Sequence, residues 1–102
     1  MKKIEIKNLK VQKTLDYKQR IIYLYEVPLK SIFNQNIVCK SPTGEIIWQV
    51  KDIFEDLTSQ DSPFTNIEHF NEDKFIAYNF IGGAYYVSIK TGELQLINKV
   101  RY

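Results

Sequence analysis

Residues 74–100, KFIAYNFIGGAYYVSIKTGELQLINKV, decide the fold of this chain. Three runs rich in β-branched and aromatic residues are separated by two short glycine-containing segments, Gly82-Gly83 and 90–93. Such runs favour strands, and glycine between them is typical of tight hairpin turns. The pattern therefore predicts a two-residue Gly82-Gly83 turn, a second turn at 90–93, and three consecutive antiparallel strands.

The same pattern extends toward the N-terminus. Residues 64–70 alternate apolar and polar side chains and a turn at 71–73 follows, so that 64–100 should form a four-stranded meander. The first half of the chain predicts further strands at 2–12, with a break near Asn8, and at 20–27, 36–40 and 45–52. Between the last two, Gly44 should supply the positive φ that closes a turn begun by Ser41 and Pro42.

The predicted fold class is mainly β: an antiparallel meander or sandwich of about seven or eight strands with at most one short helix. The helix is expected in 52–63, where the alternation stops and where Asp52 followed by Glu55 resembles a capping box. A chain of 102 residues can bury a core without disulfides or metals, and we expect a single domain over 1–102.

The alternation of side chains also predicts the core. Two triplets that each share one strand face are expected to be mostly buried: Ile76, Tyr78 and Phe80, and Tyr85, Val87 and Ile89. Trp48 shares a face with Ile46 and Val50 and is expected in the core. Tyr86 falls on the opposite face of its strand and is expected to be exposed.

Cysteine and histidine are scarce. Cys39 is the one cysteine, which is typical of a protein from a reducing compartment, and Cys39 with His69 offers too few ligands for zinc. The sequence has no G-x-S-x-G, no phosphate-binding glycine loop and no H-E-x-x-H. We therefore expect a protein that is not an enzyme, with no catalytic residues, no metal and no cofactor.

The N-terminal residues alternate apolar and charged side chains, unlike a signal peptide. No segment approaches the ~20 consecutive apolar residues of a transmembrane helix. We expect a soluble, cytoplasmic protein that does not bind a membrane.

Charge is distributed unevenly, although the net charge is only +2. Residues 1–20 carry seven Lys or Arg, but these alternate with apolar residues and predict an exposed strand face more than a nucleic-acid groove. Residues 52–73 carry seven Asp or Glu and no Lys or Arg. The acidic segment is either a solvated loop with helix caps or a contact surface for a basic partner.

The stretch 36–96 resembles a family of small bacterial immunity proteins, those of contact-dependent growth inhibition and related polymorphic toxin systems. The elements that carry the resemblance are Trp48 in the second arm of a T-G hairpin, Pro63-Phe64, the Ala77-Tyr78-Asn79 run, the glycine turn, and the Thr91-Gly92-Glu93 turn. The resemblance implies a stoichiometric inhibitor that blocks the active site or substrate path of a cognate toxin, without a cofactor.

Our first hypothesis is therefore an immunity protein that neutralises a toxin, expected to be basic and nuclease-like, with no direct contact to nucleic acid. The residues expected to bind the toxin are six carboxylates and one tyrosine: Asp52, Glu55, Asp56, Asp61, Glu72, Asp73 and Tyr86. The alternative is a module that binds a peptide or subunit at a sheet edge, with the alternating N-terminal strand as its cue.

Overall fold

Eight strands make up most of the chain that the structure describes. The computed structural model describes residues 6–28, 31, 33–51, 62–80 and 82–99. In chain order the strands are β1 (Val11–Tyr17), β2 (Arg20–Tyr25), β3 (Ile37–Lys40), β4 (Ile46–Gln49), β5 (Phe64–His69), β6 (Lys74–Asn79), β7 (Gly83–Ser88) and β8 (Leu94–Lys99).

The strands form two antiparallel sheets, ordered β1-β2-β3-β4 and β5-β6-β7-β8. Within the described ranges the one helical element is a 3-10 turn at Ile6–Asn8. The predicted mainly β class is therefore confirmed. The short helix predicted in 52–63 falls almost wholly outside the described residues.

Two glycine turns form as predicted. Gly44 has a φ of +92° and donates its N–H to the Ser41 carbonyl at 2.9 Å, which closes the β3–β4 hairpin. Gly92 has a φ of +79° and donates to the Ser88 carbonyl at 2.7 Å, which closes the β7–β8 hairpin. Both positions need the left-handed backbone that glycine adopts without a steric penalty.

The first predicted strand is wrong in its position. Residues 6–8 form the 3-10 turn, closed by the N–H of Leu9 on the carbonyl of Ile6 at 2.9 Å, and β1 begins only at Val11. Residues 2–5 of the prediction lie outside the described part of the chain. The apolar and charged residues of 2–12 alternate, but of the described residues in that range only Val11 and Gln12 belong to a strand.

That turn carries no sequence signal. Lys18 and Gln19 join β1 to β2 and bring Tyr17 opposite Arg20, with Gln19 at a φ of +63°. Neither turn residue is among the Gly, Pro, Asn, Asp and Ser that usually mark turns. The register of the first hairpin therefore follows from pairing and not from turn chemistry.

The Gly82-Gly83 turn is also longer than predicted. Strand β6 ends at Asn79 and Gly83 is already the first residue of β7. The side-chain Oδ1 of Asn79 accepts the N–H of Gly83 at 2.6 Å and so spans the connection. A buried asparagine fixes this loop in place of a two-residue glycine turn.

Strand β6 presents the face opposite to the predicted one. Its buried side chains are Phe75, Ala77 and Asn79. The predicted core residues Ile76 and Tyr78 are half-buried, and Phe80 is 69% exposed. Apolar side chains occupy both faces of this strand, so the alternation alone could not choose between them.

The other core predictions hold with one exception. Val87 and Ile89 are buried, and Tyr85 packs half-buried against the core. Trp48 and Val50 are buried as predicted, but Ile46 is 59% exposed. An irregularity in the β3–β4 pairing at Lys40 shifts the register there, and Ile46 does not share the burial of Trp48.

One hydrophobic core is shared by the two sheets, as in a sandwich. The first sheet and the residue after it contribute Leu15, Ile22, Leu24, Ile37, Cys39, Trp48 and Val50. The second contributes Phe64, Ile67, Phe75, Ala77, Val87 and Ile89. The rings of Trp48 and Phe75 stack across the two sheets, with centroids 6.2 Å apart and planes 6° from parallel.

Hydrogen bonds at two places also join the two sheets. At one end, the Nδ2 of buried Asn36 donates to the carbonyls of Tyr25 and Phe64, both at 2.8 Å, and its Oδ1 accepts the Phe64 N–H at 2.9 Å. At the other, the carbonyl of Ile89 accepts the indole Nε1–H of Trp48 at 2.8 Å. Each contact joins one sheet to the other.

The Trp48 ring also fills the space that a side chain at position 92 would need. A Cβ on Gly92 would lie 2.6 Å from two carbons of that ring, whereas a Cβ on Gly44 would meet nothing within 4 Å. We expect Gly92→Ala to lower the free energy of unfolding by about 3 kcal/mol, from left-handed strain plus overpacking.

The matched control is Gly44→Ala, which carries the backbone strain alone and should cost about 1 kcal/mol. Urea unfolding of both variants and the parent measures the difference. Equal losses for the two variants would contradict the packing of Gly92 against Trp48.

Candidate functional site

Three of the seven residues predicted to bind a partner fall in the described part of the chain. Asp52, Glu55, Asp56 and Asp61 lie outside the described residues. Glu72 and Asp73 are exposed in the turn between β5 and β6. Tyr86 is half-buried on β7 and not fully exposed.

Asn71 shapes the turn that holds the two carboxylates. Its Oδ1 accepts the N–H groups of Asp73 and Lys74 at 2.9 and 2.8 Å, a typical Asx arrangement. The carbonyl of Asp73 accepts the N–H of Ile89 at 3.0 Å, which ties the turn to the end of β7. The backbone is thus fixed, while the Glu72 and Asp73 side chains remain exposed.

Tyr86 lies beside a residue that the sequence analysis did not select. The rings of Phe70 and Tyr86 are in contact, with centroids 4.8 Å apart, and Phe70 is 49% exposed. The Nζ of Lys74 lies 5.5 Å from the centroid of the Tyr86 ring, within cation–π range. We call Phe70, Tyr86 and Lys74 the aromatic patch.

The aromatic patch continues along the outer face of the second sheet. Tyr86 pairs directly with Ile76, which in turn pairs with Glu68. The hydroxyl of Tyr78 donates to Oε1 of Glu68 at 2.7 Å, and this bond raises the pKa of Tyr78. A half-exposed aromatic pair and a hydrogen-bonded Tyr–Glu pair thus lie on one face of the second sheet.

A cleft opens at the same end of the molecule, where three turns converge. It has a volume of about 730 Å³. It is lined by the β1–β2 turn, the β5–β6 turn and the β7–β8 turn, through Tyr17, Lys18, Arg20, Glu72, Asp73, Ser88, Ile89 and Lys90. No local sequence pattern links its cations, because Lys90 is 70 positions from Arg20.

Arg20 is the central side chain of the cleft. Its Nη1 donates to the carbonyls of Ile89 and Lys90 at 2.8 and 3.0 Å, across the gap between the sheets. Its guanidinium also contacts buried Cys39. Burial raises the pKa of the Cys39 thiol, and the positive charge of Arg20 and its hydrogen bond oppose that rise.

Tyr17 forms the remaining wall between β1 and the β5–β6 turn. Its hydroxyl donates to the carbonyl of Lys74 at 3.4 Å, and its ring lies 4.5 Å from that of His69, centroid to centroid. Burial raises the pKa of Tyr17. His69, which the sequence left without a role, is thus a packing partner of Tyr17 on an exposed edge.

Two features are absent from the described ranges. No group of three or more His, Cys, Asp or Glu side chains there could hold a metal ion. No helix there is long and apolar enough to cross a membrane.

Comparison with known proteins identifies a family without assigning a role. Residues 2–99 match the model of a family described as a domain of unknown function, DUF7957, and the chain belongs to that family. No curated protein and no solved structure matches the chain.

The buried thiol and phenols make stability depend on alkaline pH. The pKa values of Cys39, Tyr17 and Tyr85 are raised by burial above their ordinary values of 9.0, 10.0 and 10.0. The unfolded chain therefore releases these protons first, and the free energy of unfolding falls as pH rises past 9.0.

Urea unfolding between pH 7 and pH 10.5 measures this fall. Cys39→Ala should be less stable at pH 7 because it leaves a cavity, but it should lose less further stability between pH 9 and 10 than the parent does. The slope of the variant's stability against pH should therefore be shallower than the parent's in that interval, because the variant has no thiol to ionise. Parallel curves for parent and variant would show that the thiol pKa is not raised.

Proposed function

We propose that this member of the DUF7957 family is a protein-binding module, and that it acts as an immunity protein that neutralises a cognate bacterial toxin by occluding its active site or substrate path. The observation that carries the proposal is the half-exposed Phe70–Tyr86 pair, which lies next to the turn that carries the exposed Glu72 and Asp73. No cofactor is required, and the cytoplasm is the proposed compartment.

The aromatic patch has the chemistry of an interface anchor. Aromatic residues are enriched at the centres of protein interfaces, where they bury large areas at a small entropic cost. Phe70 and Tyr86 already pack against each other, so binding would order few additional side-chain torsions. The patch lies on a four-stranded sheet whose register is fixed by hydrogen bonds, which suits a preorganised contact.

The two carboxylates supply charge beside that anchor. Glu72 and Asp73 are exposed on a turn that Asn71 holds in place, and their oxygens are available for charge-assisted hydrogen bonds to Lys or Arg of a partner. Such charges steer association and set register more than they add affinity. A basic, nuclease-like toxin is the partner that they and the immunity-protein resemblance of 36–96 jointly favour.

A second candidate function is peptide binding at a sheet edge. The first sheet ends at β4, whose Ile46 and Ile47 are 59% and 40% exposed. The N-terminal strand, which first suggested this alternative, is a poorer binding edge than expected. It already contacts β5, because Gln12 Nε2 donates to the Thr65 carbonyl at 3.1 Å. Edge binding at the first sheet would therefore use β4.

The test uses the protein encoded immediately upstream of this gene, which the proposal expects to be a toxin, co-expressed with this chain and then titrated by calorimetry. Phe70→Ala and Tyr86→Ala should each weaken binding by tenfold or more, as expected for buried aromatic anchors. Glu72→Lys with Asp73→Lys should weaken it further and flatten its dependence on ionic strength. The same variants should also protect cells that express the toxin less well than the parent protein does.

The matched control is Ile46→Ser with Ile47→Ser, which removes exposed apolar side chains from the other sheet. It should leave toxin binding unchanged under the first proposal and abolish binding under the edge alternative. Loss of binding in the control with full binding in the aromatic variants would reject the immunity-type surface in favour of β4. If the upstream protein is no toxin or does not bind at all, the immunity proposal fails.

A further inference from the structure

The Arg20 guanidinium is held in place without a carboxylate. Among the described residues its contacts are the carbonyls of Ile89 and Lys90 and the Cys39 thiol. Two backbone bonds to Nη1 fix the plane of the group. An arginine has five N–H donors. The two bonds to Nη1 therefore leave other guanidinium N–H groups available in the cleft that Arg20 lines.

The charge of Arg20 is also left without compensation by its contacts. The side chain is half-buried, and a partly desolvated cation is costly unless an anion offsets its lost hydration. Lys18 and Lys90 line the same cleft and are exposed, which adds two positive charges at its rim. Three cations from two different turns and a strand thus converge on one cavity of about 730 Å³.

Two hydroxyl groups line the cleft as well. Ser88 Oγ accepts the N–H of Thr91 at 3.2 Å, which leaves its own O–H proton free to donate. The Tyr17 hydroxyl already donates its proton to the Lys74 carbonyl, at 3.4 Å. The cleft therefore contains the planar guanidinium of Arg20, the ammonium groups of two lysines and one free hydroxyl donor.

The acids that line the cleft narrow the choice of anion. Glu72 and Asp73 lower the local positive potential, which disfavours a dianion such as phosphate. A carboxylate carries one negative charge and two coplanar oxygens, which match the guanidinium fork in a bidentate arrangement.

We propose that this cleft binds a carboxylate group, with Arg20 as its central ligand and with Lys18 and Lys90 beside it. The carboxylate belongs either to a small organic acid or to an Asp or Glu side chain of a bound protein. The inference does not rest on the immunity proposal, which uses the aromatic patch and the negative charge of the same turn.

The test is a titration of the ¹⁵N-labelled protein with sodium acetate, sodium succinate, sodium phosphate and a hexaglutamate peptide, each at constant ionic strength. Acetate should shift the Arg20 side-chain signal and the Lys90 and Thr91 amides in a saturable way, and phosphate should bind more weakly than acetate. Tighter binding of succinate than of the peptide assigns the site to small acids, and the reverse order assigns it to acidic side chains.

Variants separate the site from general charge attraction. Lys18→Gln and Lys90→Gln should each weaken acetate binding about fivefold, whereas Lys10→Gln with Lys51→Gln, exposed lysines outside the cleft, should not. Glu72→Gln with Asp73→Asn should strengthen acetate binding about fivefold, the opposite of their expected effect on toxin binding.

Shifts that stay linear in acetate overturn the proposal, as does equal weakening by the Lys10 and Lys51 substitutions or tighter binding of phosphate than of acetate. Because the acidic variants act with opposite sign on acetate and on the toxin, failure of this site and failure of the immunity proposal give different results.

Discussion

The carbonyl of Ile89 is the contact on which the arrangement of the two sheets depends at the cleft end. It accepts the Trp48 indole N–H and a guanidinium N–H of Arg20, both at 2.8 Å. A single acceptor on the second sheet is thereby bound by β4 and β2 of the first. Since this carbonyl begins the β7–β8 turn, the two bonds fix where that turn lies.

The same contact defines the candidate sites. Ile89 also donates its N–H to the Asp73 carbonyl at 3.0 Å, which draws the β5–β6 turn to the same place. Three turns that are distant in sequence thus meet around one residue, and the cleft is the space left between them. Phe70 and Tyr86 lie on the outer side of the same two hairpins.

The predictability of the fold follows the local chemistry of each element. The hairpins at Gly44 and Gly92 were predictable because a positive φ there requires glycine. The β1–β2 turn was not, because Lys18 and Gln19 carry no turn preference and the pairing of β1 with β2 sets the register. The buried face of β6 was not predictable either, because Asn79 is buried and Phe80 exposed, the reverse of what their polarity suggests. Asn36 likewise gave no signal, since a loop asparagine that satisfies three backbone groups resembles any other in sequence.

The candidate site was predictable in part. The sequence singled out Glu72 and Asp73 by their charge and Tyr86 by its strand face, but Phe70 was missed because it ends an alternating run like any core residue. Lys18, Arg20 and Lys90 were missed because only the tertiary fold brings them together. The acidic segment was interpreted as either a solvated loop or a contact surface for a basic partner, and its two described turn carboxylates share a cleft with three cations.

Hydrogen exchange at the Trp48 indole tests the central contact most directly. If the indole N–H is bonded to the Ile89 carbonyl in the buried seam between the sheets, it should exchange only through global unfolding. Its opening free energy, measured by NMR in low denaturant, should then equal that of the core amides of Ile22 and Val87. Exchange near the rate of an exposed indole, with those amides still protected, would contradict the account.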